Sequence, residues 1–574
     1  MTKYAQHVST RETPQSEQAN PAQVQNNAGG YTFVLDCWGR LDRWLILGAE
    51  GGTYYASEQK LTKDNAKTIF ECLKTDGLRT VARIVEVSDA GRAPKNDPAI
   101  FALAIAAADD NKETRAAALA ALPKVARIGT HLFHFVASVE QFRGWGRALR
   151  NAIAKWYLDK PADKLAFQVV KYQQRDKWSH RDVLRLCHGG LQNVSPSHDA
   201  IFRWIVSGDE GLAERDVKRR AGKPGQSTTS ERVVHYSAIQ ADAMPRLISG
   251  YKQLKAEKDS KVVAKLIAEY GFTHEMIPTE HKNSIEVWEA LLEHMPMTAM
   301  VRNLGKMTKL GLLKPLSAAS KKVVSALSDE GALKKARVHP IALLSALKVY
   351  QQGHGERGSL TWEADGSIVD ALDQAFYLAF NAIEPTGKNV MLALDVSGSM
   401  SSGDIAGVPG LTPRDASAAM AMVTAKTEKN WVAVGFTSAG HSRHQFGGLW
   451  GGGDAALTKL NISPRQRLDD VIKAVSGLPF GGTDCSLPMM YALENKLEVD
   501  AFVIYTDSET WAGKIHPHQA LTRYRQVMGR DAKLVVVGMT AADFTIADPS
   551  DAGMLDVVGF DTAAPALMAD FTRR

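Results

Sequence analysis

VMLALDVSGSM, residues 390–400, sets the fold of the C-terminal part of the chain. Val390–Leu394 is a short apolar run with no polar alternation, the pattern of a strand buried on both faces. The same texture returns in WVAVGF (Trp431–Phe436), AFVIY (Ala501–Tyr505) and LVVV (Leu534–Val537). Helical stretches lie between these runs, at Ala416–Lys429, Arg467–Val475 and Leu487–Leu497. Strands alternating with helices predict an α/β doubly wound, Rossmann-like unit with a parallel sheet covered on both sides. Such sheets bind their ligands beyond the carboxyl ends of the strands.

The residues at those ends are Asp395, Ser397 and Ser399, an i, i+2, i+4 set in a tight Gly-containing loop. Thr483 in FGGTD and Asp507 in YTDSE offer two more oxygens. No Cys or His belongs to the set. Hard oxygen donors of modest charge suit Mg²⁺ or another divalent cation. The bland alternative is a loop held by Ser and Asp side-chain caps, without metal. The order DxSxS, Thr, Asp resembles the metal-ion-dependent adhesion site of von Willebrand A (vWA) domains. That resemblance implies direct coordination by the hydroxyls and partly water-mediated coordination by the Asp residues. It also implies an open position for a carboxylate of an unknown partner. Asp484 and Glu509 adjoin the set in sequence but form no paired acid–base constellation with it, so ligand capture is expected rather than catalysis.

Upstream, residues from about Tyr31 to Ala382 read as mainly helical. Asp97-Pro98 looks like an N-cap with proline at N1. Thr130 looks like the cap of a helix that turns Leu132, Phe135, Val136 and Val139 inward, and Ser179 with Asp182 caps another. Met297, Met300, Val301 and Leu304 repeat the spacing. Short helices with short turns predict a stacked, HEAT-like array. The stretch GKPGQST is not a phosphate-binding loop, because its GK is not followed by Ser or Thr.

The 574 residues carry a net charge of +6, unevenly spread. From Asn389 onward there are 16 Lys+Arg and 20 Asp+Glu, whereas Ala121–Gly190 holds 13 and 5. The basic segment is where a polyanion would dock. Its cations interleave with Trp145, Trp156, Tyr157, Tyr172 and Trp178, which suits phosphates and stacked bases, although Trp145 and Trp156 read better as core. His131 and His134 read as packed rather than as metal ligands. Lys218, Arg219, Arg220 and Lys223 suggest a basic loop. The first 29 residues are polar and rich in Gln, Asn, Ser and Pro, and predict a disordered tail. Cys37, Cys72, Cys187 and Cys485 form no CxxC pair, which fits a reduced cytoplasm. No apolar run reaches the roughly 18 residues of a membrane span.

Several stretches in the helical part resemble the TROVE module of the Ro autoantigen family and its bacterial Ro-like relatives. They are residues 41–61, DPAIFALAIAAA, ARIGTHLFHFV, GWGRALRNAIAKWY, KYQQRDKWSHRDVLRLCH and MPMTAMVRNLGKM, in the family's order. The resemblance implies a TROVE ring of HEAT-like repeats over 30–365 and a vWA domain over 366–574. It implies that the outer basic surface binds a small structured Y RNA, and that the central hole takes single-stranded 3′ ends of misfolded or unprocessed RNAs. A tethered polynucleotide phosphorylase is implied in bacteria. Carried over residue by residue, the RNA contacts fall on Lys171, Arg175, His180 and Arg181, with Arg147 and Arg150 added from the basic helix before them. The expected protein is a non-catalytic RNA scaffold or chaperone. The main rival is a vWA-type adaptor for a chaperone ATPase, which leaves the basic, aromatic-rich helices unexplained.

Overall fold

The structure, a computed structural model, describes residues 11–48, 66–191, 194–221, 230–355, 359–380, 383–405, 408, 410–438, 456–478 and 481–574. Lys223 and residues 49–61 of the first family stretch lie outside them. The expected disordered tail is corrected from residue 11 onward. Strand β1 (Gln23–Gln25) pairs antiparallel with β2 (Tyr31–Val34), and β2 pairs with a short strand, Phe544–Thr545, far along the chain. Composition misleads here because the segment orders itself with amides rather than apolar area. Gln15, Gln23 and Asn26 are buried, and each spends its side chain on hydrogen bonds.

The helical array begins with Cys37–Leu47 and runs to Gly366–Leu378. Helix Asp97–Ala106 packs between its neighbours and buries every residue from Pro98 to Ala106. Its cap position is Asn96, one residue before the expected one. Helix Gly129–Val139 likewise starts before Thr130, with Ile128 at the cap position and Leu132, Phe135, Val136 and Val139 buried. Ser179 and Asp182 form the capping box expected for His180–Cys187. Two antiparallel ribbons interrupt the helices: β3 (Gln174–Arg175) with β4 (Trp178–Ser179), and β5 (Arg215–Ala221) with β6 (Ser230–Tyr236). The array closes on itself. Arg337, near its end, lies 3.4 Å from Asp89, near its start, and His339 Nε2 sits 3.1 Å from the Arg92 carbonyl.

The C-terminal sheet contains β7 (Asn389–Asp395), β8 (Asn430–Phe436), β9 (Leu457–Lys459), β10 (Ala501–Thr506), β11 (Lys533–Gly538) and β13 (Met554–Val558); β12 is the Phe544–Thr545 strand. Its order is β13-β11-β10-β7-β8-β9, parallel except for β9. The division at 365/366 is misplaced. Helix Gly366–Leu378 packs on the helices Pro340–Gln352 and Ala318–Leu327, so the helical body continues past it and the sheet starts at Asn389.

The sheet unit grips both ends of the array. Arg43, 2% exposed, donates to both Asp556 carboxylate oxygens and to the carbonyls of Ala542 and Phe544. Arg92 pairs with Asp561 at 2.6 Å. At the other end Arg467 pairs with Asp370, and the Leu468 amide donates to Asp373 at 2.8 Å. Removing one member of a buried pair strands the other charge away from water. Arg43→Ala is therefore expected to lower stability by about 3–5 kcal/mol. Urea unfolding measures this, beside Arg573→Ala at a surface pair, expected within about 1 kcal/mol of the unaltered chain. Equal losses would contradict the clamp.

Candidate metal centre and nucleic-acid interface

Strands β7 and β10 are neighbours, with Leu394 opposite Tyr505, so Asp395 and the Thr506–Asp507 pair leave the sheet side by side. The strand order reverses at β7, the switch point where a parallel sheet opens a crevice. Asp395, Ser397, Ser399 and Asp507 meet there, and Thr483 is tied to the Asp507 loop through its carbonyl. Asp395, Ser397, Ser399, Thr483 and Asp507 are each at most 4% exposed. The Ser397 amide donates to Asp395 Oδ1 at 2.9 Å, and the Ser397 and Ser399 hydroxyls lie 3.0 Å apart. Thr483 comes from the loop before helix Leu487–Glu494, and its carbonyl accepts from the Trp511 and Ala512 amides of the Asp507 loop.

Sequence reading missed two partners, Thr506 and Arg414, and placed a third, Glu509, beside the motif in sequence without a role. Thr506 donates its hydroxyl to Asp395 Oδ2 at 2.7 Å. Arg414, buried, reaches Ser401 and the Leu478 carbonyl and puts a positive charge near Asp395. Glu509, fully buried, adds a third acid. Thr506 carries no motif signal of its own, and Arg414 meets the site only through folding.

The electrostatics fit a cation. Burial pushes the Asp507 carboxyl up to about 8, and the Asp395 charge and Glu509 push the same way. Burial also raises Asp395, against the hydrogen bonds of Ser397 and Thr506. Asp507 Oδ2 is buried and has no hydrogen-bond partner among the described residues. A hard divalent ion would satisfy that oxygen and offset the crowded negative charge. Asp395, Ser397, Ser399, Thr483 and Asp507 are the residues that could hold it.

The basic segment forms an exposed tract. Arg147 and Arg150 project from helix Arg147–Leu158, and Arg175 is 61% exposed on the β3–β4 ribbon. Asp176 and Lys177 take φ of 50° and 65° at the ribbon's tip, a left-handed pair that turns the chain tightly. Arg181 is exposed on helix His180–Cys187. Lys171 is less available: its ammonium lies 3.5 Å from Glu275 and its side chain is only 10% exposed.

His180 is a correction. It is buried between Phe133 and Tyr157, with Tyr157 Oη 2.8 Å from its Nδ1, and it contacts no solvent that an RNA could occupy. Helix periodicity gives the reason. The inward face carries His180, Val183, Leu184 and Cys187, and the outward face carries Arg181, Arg185 and, one turn on, His188. The spacing i, i+4, i+7 was the signal for Arg185 and His188. Trp156 and Tyr157 are core, and Trp145 is half-buried against it. His131 is packed and held down to about 4 by burial, while His134 pairs with Asp176.

A second basic tract went unnoticed in the sequence. Residues 302–337 hold nine Lys+Arg and two Asp+Glu. Arg302, Lys306 and Lys309 share one face of helix Met297–Lys309. Arg302 and Lys306 open onto a cavity of about 580 Å³ that Tyr350, Trp362 and, from the sheet unit, Val408 also line.

Comparison with known proteins agrees with this layout. Residues 24–349 match the TROVE domain family and residues 389–572 the Ro60 vWA domain family. The chain is 40% identical over 562 residues to the RNA-binding protein RO60 of Deinococcus radiodurans, covering 98% of this chain and 97% of that one. It is 38% identical to the RNA-binding protein RO60 of Caenorhabditis elegans, covering 97% and 91%. The crystal structure of the Deinococcus radiodurans RO (RSR) protein superposes with a TM-score of 0.66 at 40% identity, over 94% of this chain and 99% of that one.

Burial of His180 has a measurable consequence. Its imidazole is held down to about 3 because burial disfavours the charged form. In the unfolded chain it would protonate near pH 6.5. The folded state therefore loses stability as pH falls below about 6.5, because only the unfolded chain takes up that proton. His180→Gln is expected to flatten the fall in stability between about pH 6.5 and 4.5 relative to the unaltered chain. Parallel urea titrations across that range check it, and parallel curves for both proteins would contradict it.

Proposed function

The chain belongs to the Ro family, and from that premise we propose that it is a non-catalytic RNA-binding scaffold that serves RNA quality control. The exposed basic tract on consecutive short elements carries the reading. Arg147, Arg150, Arg175 and Arg181 face water with no apolar function to serve, and Arg185 and His188 extend the same face. A small structured RNA of the Y RNA kind binds there through its phosphates. Lys171 contributes only after release from Glu275, and His180 acts from within by fixing the helix that carries Arg181.

The closed helical array gives a single-stranded 3′ end of a misfolded or unprocessed RNA a hole to enter. Arg302, Lys306 and Lys309 supply further phosphate contacts beside a cavity large enough for an unstacked base. A bound Y RNA then restricts access for other RNAs and tethers a polynucleotide phosphorylase, which performs the decay chemistry. The sheet unit holds Mg²⁺ at Asp395, Ser397, Ser399, Thr483 and Asp507, with one position left for a partner's carboxylate. The cytoplasm is the setting. Among the described residues no helix is long and apolar enough to cross a membrane.

Two outcomes test this reading. Arg175→Glu with Arg181→Glu is expected to weaken binding of a Y-type stem-loop RNA at least tenfold. The same pair should lower the dependence of log K on log salt by about 2, one unit for each phosphate contact. Filter binding at several salt concentrations measures both, and an unchanged slope would remove these residues from the interface. Asp395→Ala is expected to abolish Mg²⁺ binding in calorimetry while leaving RNA affinity within twofold. In the unaltered chain, Mg²⁺ at about 100 times its Kd should add about 2.7 kcal/mol of stability. The variant should show no such gain.

A further inference from the structure

The N-terminal segment lies across the sheet unit at the two loops that carry Thr483 and Asp507. Gln15 is fully buried and uses its whole side-chain amide there. Its Nε2 donates to Asp484 Oδ1 and to the Ile515 carbonyl, both at 2.8 Å. Its Oε1 accepts from the Thr510 hydroxyl and from the Gly513 amide. Asp484 follows Thr483 directly, and Thr510 lies three residues past Asp507. One side chain thus joins both ligand-bearing loops. Gly513 leaves room for this contact, since a Cβ there would stand 2.2 Å from Gln15 Nε2.

A second contact lies nearer the acids. Glu509 points toward the segment, and Asn27 Nδ2 and the Ala28 amide each reach one of its carboxylate oxygens, at 2.8 and 3.1 Å. Asn26, between the two contacts, donates to the Thr510 carbonyl at 2.8 Å. Each of these bonds spans more than 460 residues of sequence. The segment then continues through β2 into helix Cys37–Leu47, whose Arg43 is clamped against Asp556.

We propose that this N-terminal segment is a strap that completes the metal site, with Gln15 and Asn27 as positioning residues for the Thr483 and Asp507 loops. The proposal rests on the reading of those loops as a divalent-cation site. Neither residue touches the metal. Gln15 fixes the separation of the two loops, and Asn27 with the Ala28 amide holds Glu509 away from Asp507. Metal affinity then depends on a segment at the far end of the chain, and the metal in turn stabilises the strap, because coupling is reciprocal.

The experiment is Mn²⁺ binding to the full-length chain by calorimetry, with amide hydrogen exchange of residues 13–31 measured with and without Mn²⁺. Gln15→Ala is expected to weaken Mn²⁺ binding about tenfold or more, in the range found for groups that orient metal ligands. Asn27→Asp places a second carboxylate against Glu509 and is expected to weaken it severalfold. Asn27 is exposed, so this variant should keep its fold even if Gln15→Ala does not. Gln15→Glu keeps the size and the acceptor oxygen that serves Thr510 and Gly513 but loses the donors to Asp484 and Ile515, and should behave like Gln15→Ala. In the unaltered chain Mn²⁺ should slow exchange across the strap. Affinity like that of the unaltered chain in a folded Asn27→Asp variant, with exchange in the strap indifferent to Mn²⁺, would overturn the strap while leaving the metal site standing. Absence of saturable Mn²⁺ binding by the unaltered chain would remove the metal site and the strap together.

Discussion

Two guanidinium groups, Arg43 and Arg92, are withdrawn from water between the first helices of the array and the last strands of the sheet. Both sit with carboxylates, Asp556 and Asp561, that have no other ion-pair partner among the described residues. Buried charges tolerate little displacement, because any gap exposes an unpaired ion to a poorly solvating interior. The sheet unit is therefore fixed to the start of the array. Arg467, Asp370 and Asp373 fix it to the end. A stack of helices is open by default, each unit touching only its neighbours. Here the seam at Asp89, Arg92, Arg337 and His339 is closed directly, and the sheet unit braces it from outside.

The loops of the proposed metal site were legible in sequence as strand-end loops because their information is local. DxSxS needs one strand end and one tight turn, and the apolar runs before Asp395 and Asp507 announce their strands. Thr483 was legible by its glycines. Thr506 was not: a threonine at the end of an apolar strand is ordinary, and only the register of β10 on β7 brings its hydroxyl to Asp395. The N-terminal segment was read as disordered on sound compositional grounds, yet Gln15, Gln23 and Asn26 are buried. Composition counts apolar area. It does not count amides that satisfy the backbone of a partner hundreds of residues away.

The basic surface was half legible. Charge density located the tract, but charge has no phase, whereas a helix does. His180 and Arg181 are adjacent in sequence and face opposite ways, one into the aromatic core and one into water. The capping box at Ser179 and Asp182 fixes where that helix starts, and so fixes the phase. Reading the cap first and the charges second would have chosen Arg181, Arg185 and His188 over His180.

The two halves divide the electrostatics between them. The sheet unit is mildly acidic and gathers its acids at one buried point, where a hard cation suits them and a phosphate does not. The helical array is basic, and its Arg side chains stand apart in water, where a polyanion suits them. These surfaces would repel each other's ligands, so neither needs a gate to keep the other's ligand out. They are nonetheless parts of one mechanical body. A strap that closes over the acids continues into the first helix of the array, and that helix is pinned to the edge of the sheet through Arg43. Any rearrangement at the metal loops that loosened Gln15 would reach the seam of the ring through covalent chain and a buried ion pair.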